Sequence, residues 1–378
     1  MPKYPNMQSI VMQMPGRPFS KFTAEIQAMG NARYPLHIGD TYLQPLYGAR
    51  IEDVNIQAHP DAHKYTFPTG YPRLIQAISE KYTVQPEQIQ ITPGATGGLH
   101  LLAISLLCAG DEVLILAPYW PLAAGIVRAA GAIPISVPFY DQETSVTARL
   151  SKYMTEKTVA IYVNSPNNPT GLIMSPEEVK ELGELAKKHN LWIFADEVYE
   201  QLWFPSIEEK PLPIRMVAPE NTISIFSFSK AYAMAGYRCG FLLYPEAKLG
   251  NILNKIVVHS FYSVSTPAQI AACFVLHEGE EWLEDTRQKY QRIGEQCADL
   301  LALPRPLAGT FLFFDISSYL RGRTMDAFLL SCIEHKLLLA PGASFGEGYE
   351  NYIRLCFTCV EPDIVLEGME ILKHLLET

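Results

Sequence analysis

Nowhere in the chain do about 18 uncharged apolar residues run together, so nothing in it reads as a membrane-spanning helix. The opening segment, MPKYPNMQSIVMQMPGRPF, lacks the continuous apolar core of a secretion signal. Positive charge is short as well. Thirty lysines and arginines face 40 aspartates and glutamates, a formal net charge of -10, which argues against an extended polyanion such as nucleic acid as a partner. A small anionic ligand stays compatible with that balance, because a few arginines in one pocket outweigh the global charge. Cysteine is sparse: seven residues, at 108, 239, 273, 297, 332, 356 and 359, of which only Cys356 and Cys359 are neighbours. Without a second pair or a nearby histidine they do not complete a four-ligand zinc site, so reduced thiols in a soluble cytoplasmic protein are expected, and no metal. Repeats, low-complexity tracts and long flexible linkers are also missing.

What is present is an alternation. Short apolar runs rich in branched residues, EVLILA (112–117), TVAIYVN (158–164), LWIFADE (191–197) and TISIFSF (222–228), are separated by amphipathic stretches. One of these, SPEEVKELGELAKKHN, carries a helix start in register: Ser175 as N-cap, Pro176 in the first turn and Glu178 three residues on. Strands alternating with helices imply right-handed crossovers and a mainly parallel sheet covered on both faces. From about residue 250 the texture changes to one or two long helices, followed by GTFLFFDIS, LLLAPGASFG and YIRLCFTCV as short strands around a further helix. With 378 residues, too many for one simple core, the expected class is α/β. It comprises a three-layer large domain (41–265) and a smaller α/β domain formed by the N- and C-terminal segments (1–40 and 266–378).

Ligands of open α/β sheets bind beyond the carboxyl ends of the strands, and the informative residues fall there. PGATGG, after the strand-like IQIT, is a glycine-rich turn opening a helix, with free N–H groups and a positive dipole end that suit a phosphate. It matches neither the Gly-Lys-Ser/Thr nucleotide loop nor the three-glycine dinucleotide fingerprint, and by itself it is equally an ordinary tight turn. Lys230 ends an apolar strand between hydroxyl residues Ser227 and Ser229, with Arg238 eight positions later. A lysine at a buried edge can give up its proton and act as nucleophile or base, and its three neighbours are phosphate ligands by type. Alone it is a surface lysine. Asp196 and Glu197, in FADEVY, are by type a metal pair or a general acid and base; Asp196 also stands where a carboxylate would meet a ring nitrogen and keep it protonated, and Glu197 is read as a helix-start carboxylate. In NSPNNPTG, Pro166, Pro169 and Gly171 stiffen a turn on which Asn164, Asn167 and Asn168 offer amide donors. Arg354, inside the apolar YIRLCF, is costly to bury without an anion, be it a ligand or a structural carboxylate.

In their order along the chain, PGATGG, PYWP, NSPNNPTG, DEVY, SFSK with Arg238, APGASFG and YIR resemble the class I and II aminotransferases, the fold type I pyridoxal-phosphate enzymes. The resemblance runs from about Leu36 to Phe357. It implies pyridoxal 5'-phosphate as cofactor, with Lys230 as the Schiff-base lysine that later shuttles the Cα proton. Asp196 would partner the pyridinium nitrogen, Asn168 and Tyr199 the ring phenolate, and Tyr119 would stack on the ring. Ala95, Thr96, Ser227, Ser229 and Arg238 match the phosphate cup. Tyr65 resembles the tyrosine that reaches the phosphate of the neighbouring subunit, implying a homodimer with shared sites. Arg354 matches the fork for the substrate α-carboxylate, assisted by Asn168 and the backbone near Gly39.

The expected reaction is amino transfer between an amino acid and a 2-oxo acid. A β-lyase, a decarboxylase or a cyclising synthase of the same fold would use the same residues, and a catalytically silent ligand sensor is the alternative from another class. The sensor would need an added DNA-binding helical domain, for which no basic segment is long enough. HIGDTYLQPLY departs from the family's usual glycine-acidic-proline run near Gly39, which leaves the substrate side chain unread; Arg17, Arg33 and Arg50 are the candidate second cations for a dicarboxylic substrate.

Overall fold

A computed structural model of the chain describes residues 10–14, 20–140 and 144–378. Arg17 lies outside the described residues.

Ten strands fall into two sheets. In the larger sheet, β1 (Ile89–Thr92), β2 (Glu112–Ala117), β3 (Ile133–Pro138), β4 (Thr158–Asn164), β5 (Trp192–Asp196), β6 (Thr222–Ser227) and β7 (Gly240–Leu243) lie in the order β1-β7-β6-β5-β4-β2-β3. Neighbours from β6 to β3 run parallel, whereas β7 is antiparallel to both β6 and β1. The smaller sheet is antiparallel, with β10 (Tyr352–Cys356) between β8 (Phe311–Asp315) and β9 (Ala340–Pro341). The expected α/β class with a mainly parallel large sheet is the one observed.

The four apolar runs become β2, β4, β5 and β6 because they are buried on both faces, where crossover helices leave no room for polar alternation. One face carries a core of Val113, Ile115, Tyr162, Phe194 and Ile225 under the helices Gly94–Leu106 and Ala247–Ser260. The other packs Leu114, Ile161, Val163 and Ile193 against the helix Pro176–His189. That helix starts as its sequence dictates: Ser175 Oγ accepts from Glu178 N at 3.2 Å while Glu178 Oε2 accepts from Ser175 N at 3.0 Å. A third core joins β1, β6 and β7 to the small sheet through residues such as Phe226, Phe241, Leu283, Leu312 and Leu355. The long C-terminal texture resolves into two helices, Thr266–Glu278 and Glu280–Leu300.

Two strands carry no signal in the sequence reading. β3, IPISVP, holds two prolines that would break an inner strand, and it survives because it is the sheet edge. β7, GFLL, has only four residues and is inserted antiparallel between β1 and β6. Among the described residues, no helix is long and apolar enough to cross a membrane.

Candidate active site

Strand register sets the geometry. Asn164 pairs with Asp196, and Asp196 with Ile225, so β4, β5 and β6 end together and put Asn164, Asp196 and, two residues further, Ser227 along one edge. A cavity of about 230 Å³ opens there.

Its anion end is built from backbone and hydroxyls. Ala95 and Thr96 line the cavity in the first turn of the helix Gly94–Leu106, where unpaired N–H groups converge. Gly94 is required for two reasons: its φ is +72°, and a Cβ there would come within 2.6 Å of Arg238 Nη2. The close approach brings the guanidinium onto the helix start. Arg238 is steadied by Nη1 donating to the Ala235 carbonyl at 2.7 Å and stands 3.5 Å from Ser229 Oγ. Ser227 Oγ caps the short helix Phe228–Ala231, accepting from Ser229 N at 3.1 Å, and it donates to Ser229 Oγ at 2.8 Å. Hydroxyls, backbone N–H groups and a guanidinium, with no carboxylate among the lining residues of this end, make a donor set that fits a phosphate.

Lys230, half-buried in that short helix, extends to the opposite wall and donates to the Gly39 carbonyl. Burial pushes its amine below the usual lysine range, and the charges of Arg354 and Arg238 act in the same direction. Gly39 admits the contact because a side chain there would come within 2.8 Å of the Phe311 ring. Asp196 is 6% exposed, and burial raises its carboxyl to about 6, opposed by hydrogen bonds from Tyr162 and the Val198 backbone and by the charge of Lys230.

At the other end, Arg354 projects from β10. Its Nη1 donates to Asn168 Oδ1 at 2.9 Å and its Nη2 to the His37 carbonyl at 2.7 Å. Phe311 and Phe345 flank the guanidinium carbon at 4.2 and 4.9 Å. Among the described residues no carboxylate pairs with it, and Nε is buried without a partner. The structural salt bridge that could have explained this arginine is therefore not what holds it. Asn168 turns its oxygen to Arg354, which leaves its NH2 as a donor toward the cavity. Tyr199 lines the same wall, its ring edge-on to Phe311 at 6.0 Å.

Gly39, Ala95, Thr96, Asn168, Asp196, Tyr199, Ser227, Ser229, Lys230, Arg238 and Arg354 thus gather around one cavity. Three expectations need correction or lie elsewhere. Tyr119 is not at the cavity wall: its hydroxyl meets Ser136 and its ring packs near Gly346, while the next residue, Trp120, takes the wall. Tyr65 does not line the cavity; it is 85% exposed beside Tyr262. Glu197 begins no helix; a turn follows it, and its buried carboxyl, raised to about 7 by burial, faces Arg215 at 3.7 Å. Of the candidate second cations, Arg33 pairs with Glu367 at the surface and Arg50 donates to the Pro45 carbonyl; neither lines the cavity.

Among the lining residues to which the sequence assigned no settled role, Asn164 and Phe311 make specific contacts. Asn164, noted only as one of three amides, bridges the site: its Nδ2 donates to the Asp196 carbonyl at 2.7 Å and its Oδ1 accepts from Asn168 N at 2.6 Å. Phe311, in the apolar run FLFFD, gave no sign that one ring of it meets a guanidinium.

A doubly covered, mostly parallel sheet that gathers an amine and an anion cradle at its carboxyl edge is the setting of fold type I enzymes, and by both criteria this chain is of that class. Residues 38–372 match the family described as aminotransferase class I and II, and the chain belongs to that family. It is 36% identical over 317 residues to a probable aspartate/prephenate aminotransferase of Thermus aquaticus, covering 80% of this chain and 81% of that one. It is 30% identical over 328 residues to aromatic-amino-acid aminotransferase 2 of Thermococcus litoralis, covering 82% of each. A solved structure of Thermus thermophilus aspartate aminotransferase, a single mutant, is similar with a TM-score of 0.88 at 25% identity, over 98% of this chain and all of that one. The family implies pyridoxal 5'-phosphate as cofactor.

Proposed function

We propose that the chain is a pyridoxal-phosphate-dependent aminotransferase that moves an amino group between an amino acid and a 2-oxo acid, with the cavity residues in the following roles. The observation that carries the reading is that Lys230, Asp196, Arg238 and Arg354, distant in sequence, line one cavity. Arg238, Ser227, Ser229 and the N–H groups at Ala95 and Thr96 hold the phosphate, as their donor set suits. Asp196 would accept a hydrogen bond from the protonated ring nitrogen, Trp120 would pack against the ring, and Asn168 and Tyr199 would donate to its phenolate oxygen. When bound, the cofactor supplies the electron-withdrawing heterocycle that makes the substrate Cα–H acidic.

The protein residues do the rest. Arg354 takes the substrate α-carboxylate, with Nε free to donate and Asn168 and the His37 carbonyl fixing the plane of the fork. That orientation presents Cα to Lys230. The Lys230 amine would hold the cofactor at its carbonyl carbon, and burial, which lowers it toward a neutral base, suits it to move the Cα proton at Nζ. The two sheets support a division of labour: the cradle residues fall within 41–265, while Gly39 and Arg354 fall within 1–40 and 266–378. The exposed Tyr65 and Phe67, 85% and 64%, support a homodimer in which Tyr65 reaches the partner's phosphate. Seven free thiols support a reducing, cytoplasmic setting.

Lys230→Ala tests the reading: the visible absorbance of the cofactor-loaded protein and nearly all turnover are expected to vanish, and an unchanged spectrum would refute the assignment. Amino transfer itself is checked by incubating amino donors with 2-oxo acids. Oxo-acid formation that depends on the acceptor supports it, whereas ammonia released without acceptor overturns it in favour of lyase chemistry.

A further inference from the structure

Tyr162 has no part in the roles above. It sits on β4 opposite Phe194, and two residues later Asn164 sits opposite Asp196, so Tyr162 and Asp196 face the same side of the sheet. From there the Tyr162 hydroxyl donates to Asp196 Oδ2 at 2.6 Å, and the two residues are 1% and 6% exposed. The other oxygen, Oδ1, receives only a long backbone contact from Val198 N at 3.4 Å. Among the described residues Tyr162 is thus the one side chain that hydrogen-bonds the carboxylate. Packing gives no reason for the hydroxyl: Tyr162 belongs to an apolar core with Val113, Ile115, Phe194 and Ile225, where a phenylalanine would fill the same space and bury no polar atom.

We propose that Tyr162 is a positioning residue for Asp196: its buried hydroxyl fixes the carboxylate from behind and favours its ionised form, so that the cofactor's ring nitrogen meets a carboxylate and not a carboxylic acid. This rests on the role given to Asp196 above. The ionisable groups facing Asp196 are Lys230 from the helix after β6, Tyr162 from β4, Tyr140 from beyond β3 and Tyr199 from the turn after β5. Burial drives all three phenols far above their ordinary range, which leaves them neutral donors and Lys230 the only charge. The direction then follows. Burial alone would keep Asp196 protonated into the neutral range, Tyr162 opposes that, and loss of its hydroxyl raises the carboxyl further.

The test uses the full chain freed of cofactor and labelled at the aspartate carboxyl carbon, with the Asp196 resonance identified by its loss in Asp196→Asn. In Tyr162→Phe its titration midpoint is expected to rise by about one pH unit, a tenfold change in proton affinity. In the loaded enzyme the acid limb of the kcat profile moves the same way while KM for the amino donor changes little. A purely structural tyrosine would leave the midpoint in place, and an unmoved midpoint overturns the inference. Should Tyr162→Phe not fold, the phenol carbon of Tyr162 in the unaltered chain is expected to show a step at the Asp196 midpoint; its absence overturns the inference equally. Lack of cofactor binding by the unaltered chain is a separate result, and it sinks the proposed function instead.

Discussion

Replacing Arg354 by lysine keeps one positive charge in the pocket and removes the fork. In the native arrangement Nη1 is committed to Asn168 and Nη2 to the His37 carbonyl, and the planar group is gripped between Phe311 and Phe345. Nε and the remaining guanidinium hydrogens are what a substrate carboxylate would meet. A lysine ammonium can reach either the protein acceptors or the carboxylate, but it has no second rigid donor to align both oxygens. The loss is one charge-assisted hydrogen bond, about 1.5–3 kcal/mol, plus part of the cost of a buried acceptor left unpaired, so roughly 2–4 kcal/mol in all. That corresponds to an approximately 30- to 1,000-fold weaker dissociation constant for a 2-oxo acid. The assay is equilibrium titration of the loaded enzyme with a 2-oxo acid, followed by steady-state kinetics, with thermal unfolding as a check on integrity. An affinity within about twofold of the unaltered protein would show that the carboxylate lies elsewhere and that Arg354 serves the fold alone.

Trp120→Ala is expected to weaken cofactor binding about tenfold through loss of an aromatic face, while Tyr119→Phe, whose hydroxyl meets Ser136, leaves binding nearly unchanged; equal effects in a cofactor titration would refute the placement. Asp196 also makes stability depend on pH. Its carboxyl is raised from 3.8 to about 6 by burial, so the folded chain holds the proton more tightly than the unfolded one. Its stabilising contribution is complete below the unfolded value and is lost as pH rises through the folded one, a change on the order of 3 kcal/mol. The cofactor-free protein should therefore lose more stability than Asp196→Asn between about pH 4 and pH 7, and identical denaturant midpoints across that range would contradict this.

That penalty is informative about the site. A carboxylate deep in an apolar layer costs stability unless a partner arrives, and a protonated ring nitrogen is such a partner. The same holds for Arg354, a buried guanidinium with two neutral acceptors and, among the described residues, no carboxylate.

The sequence by itself determined the strands β2, β4, β5 and β6 and the start of the helix at Ser175, and its resemblance to the aminotransferases pointed to most of the residues that line the cavity. Buried parallel strands write themselves as continuous apolar runs, and helix caps are local hydrogen bonds. Tertiary structure decided the rest. A proline-bearing edge strand and a four-residue antiparallel strand exist only because neighbours supply their hydrogen bonds, so β3 and β7 left no local trace. Which of Tyr119 and Trp120 lines the cavity is decided only in the folded chain. The hydroxyl of Tyr162 has meaning only once strand pairing brings β4 beside β5, because an apolar run read alone does not disclose which neighbour carries the carboxylate.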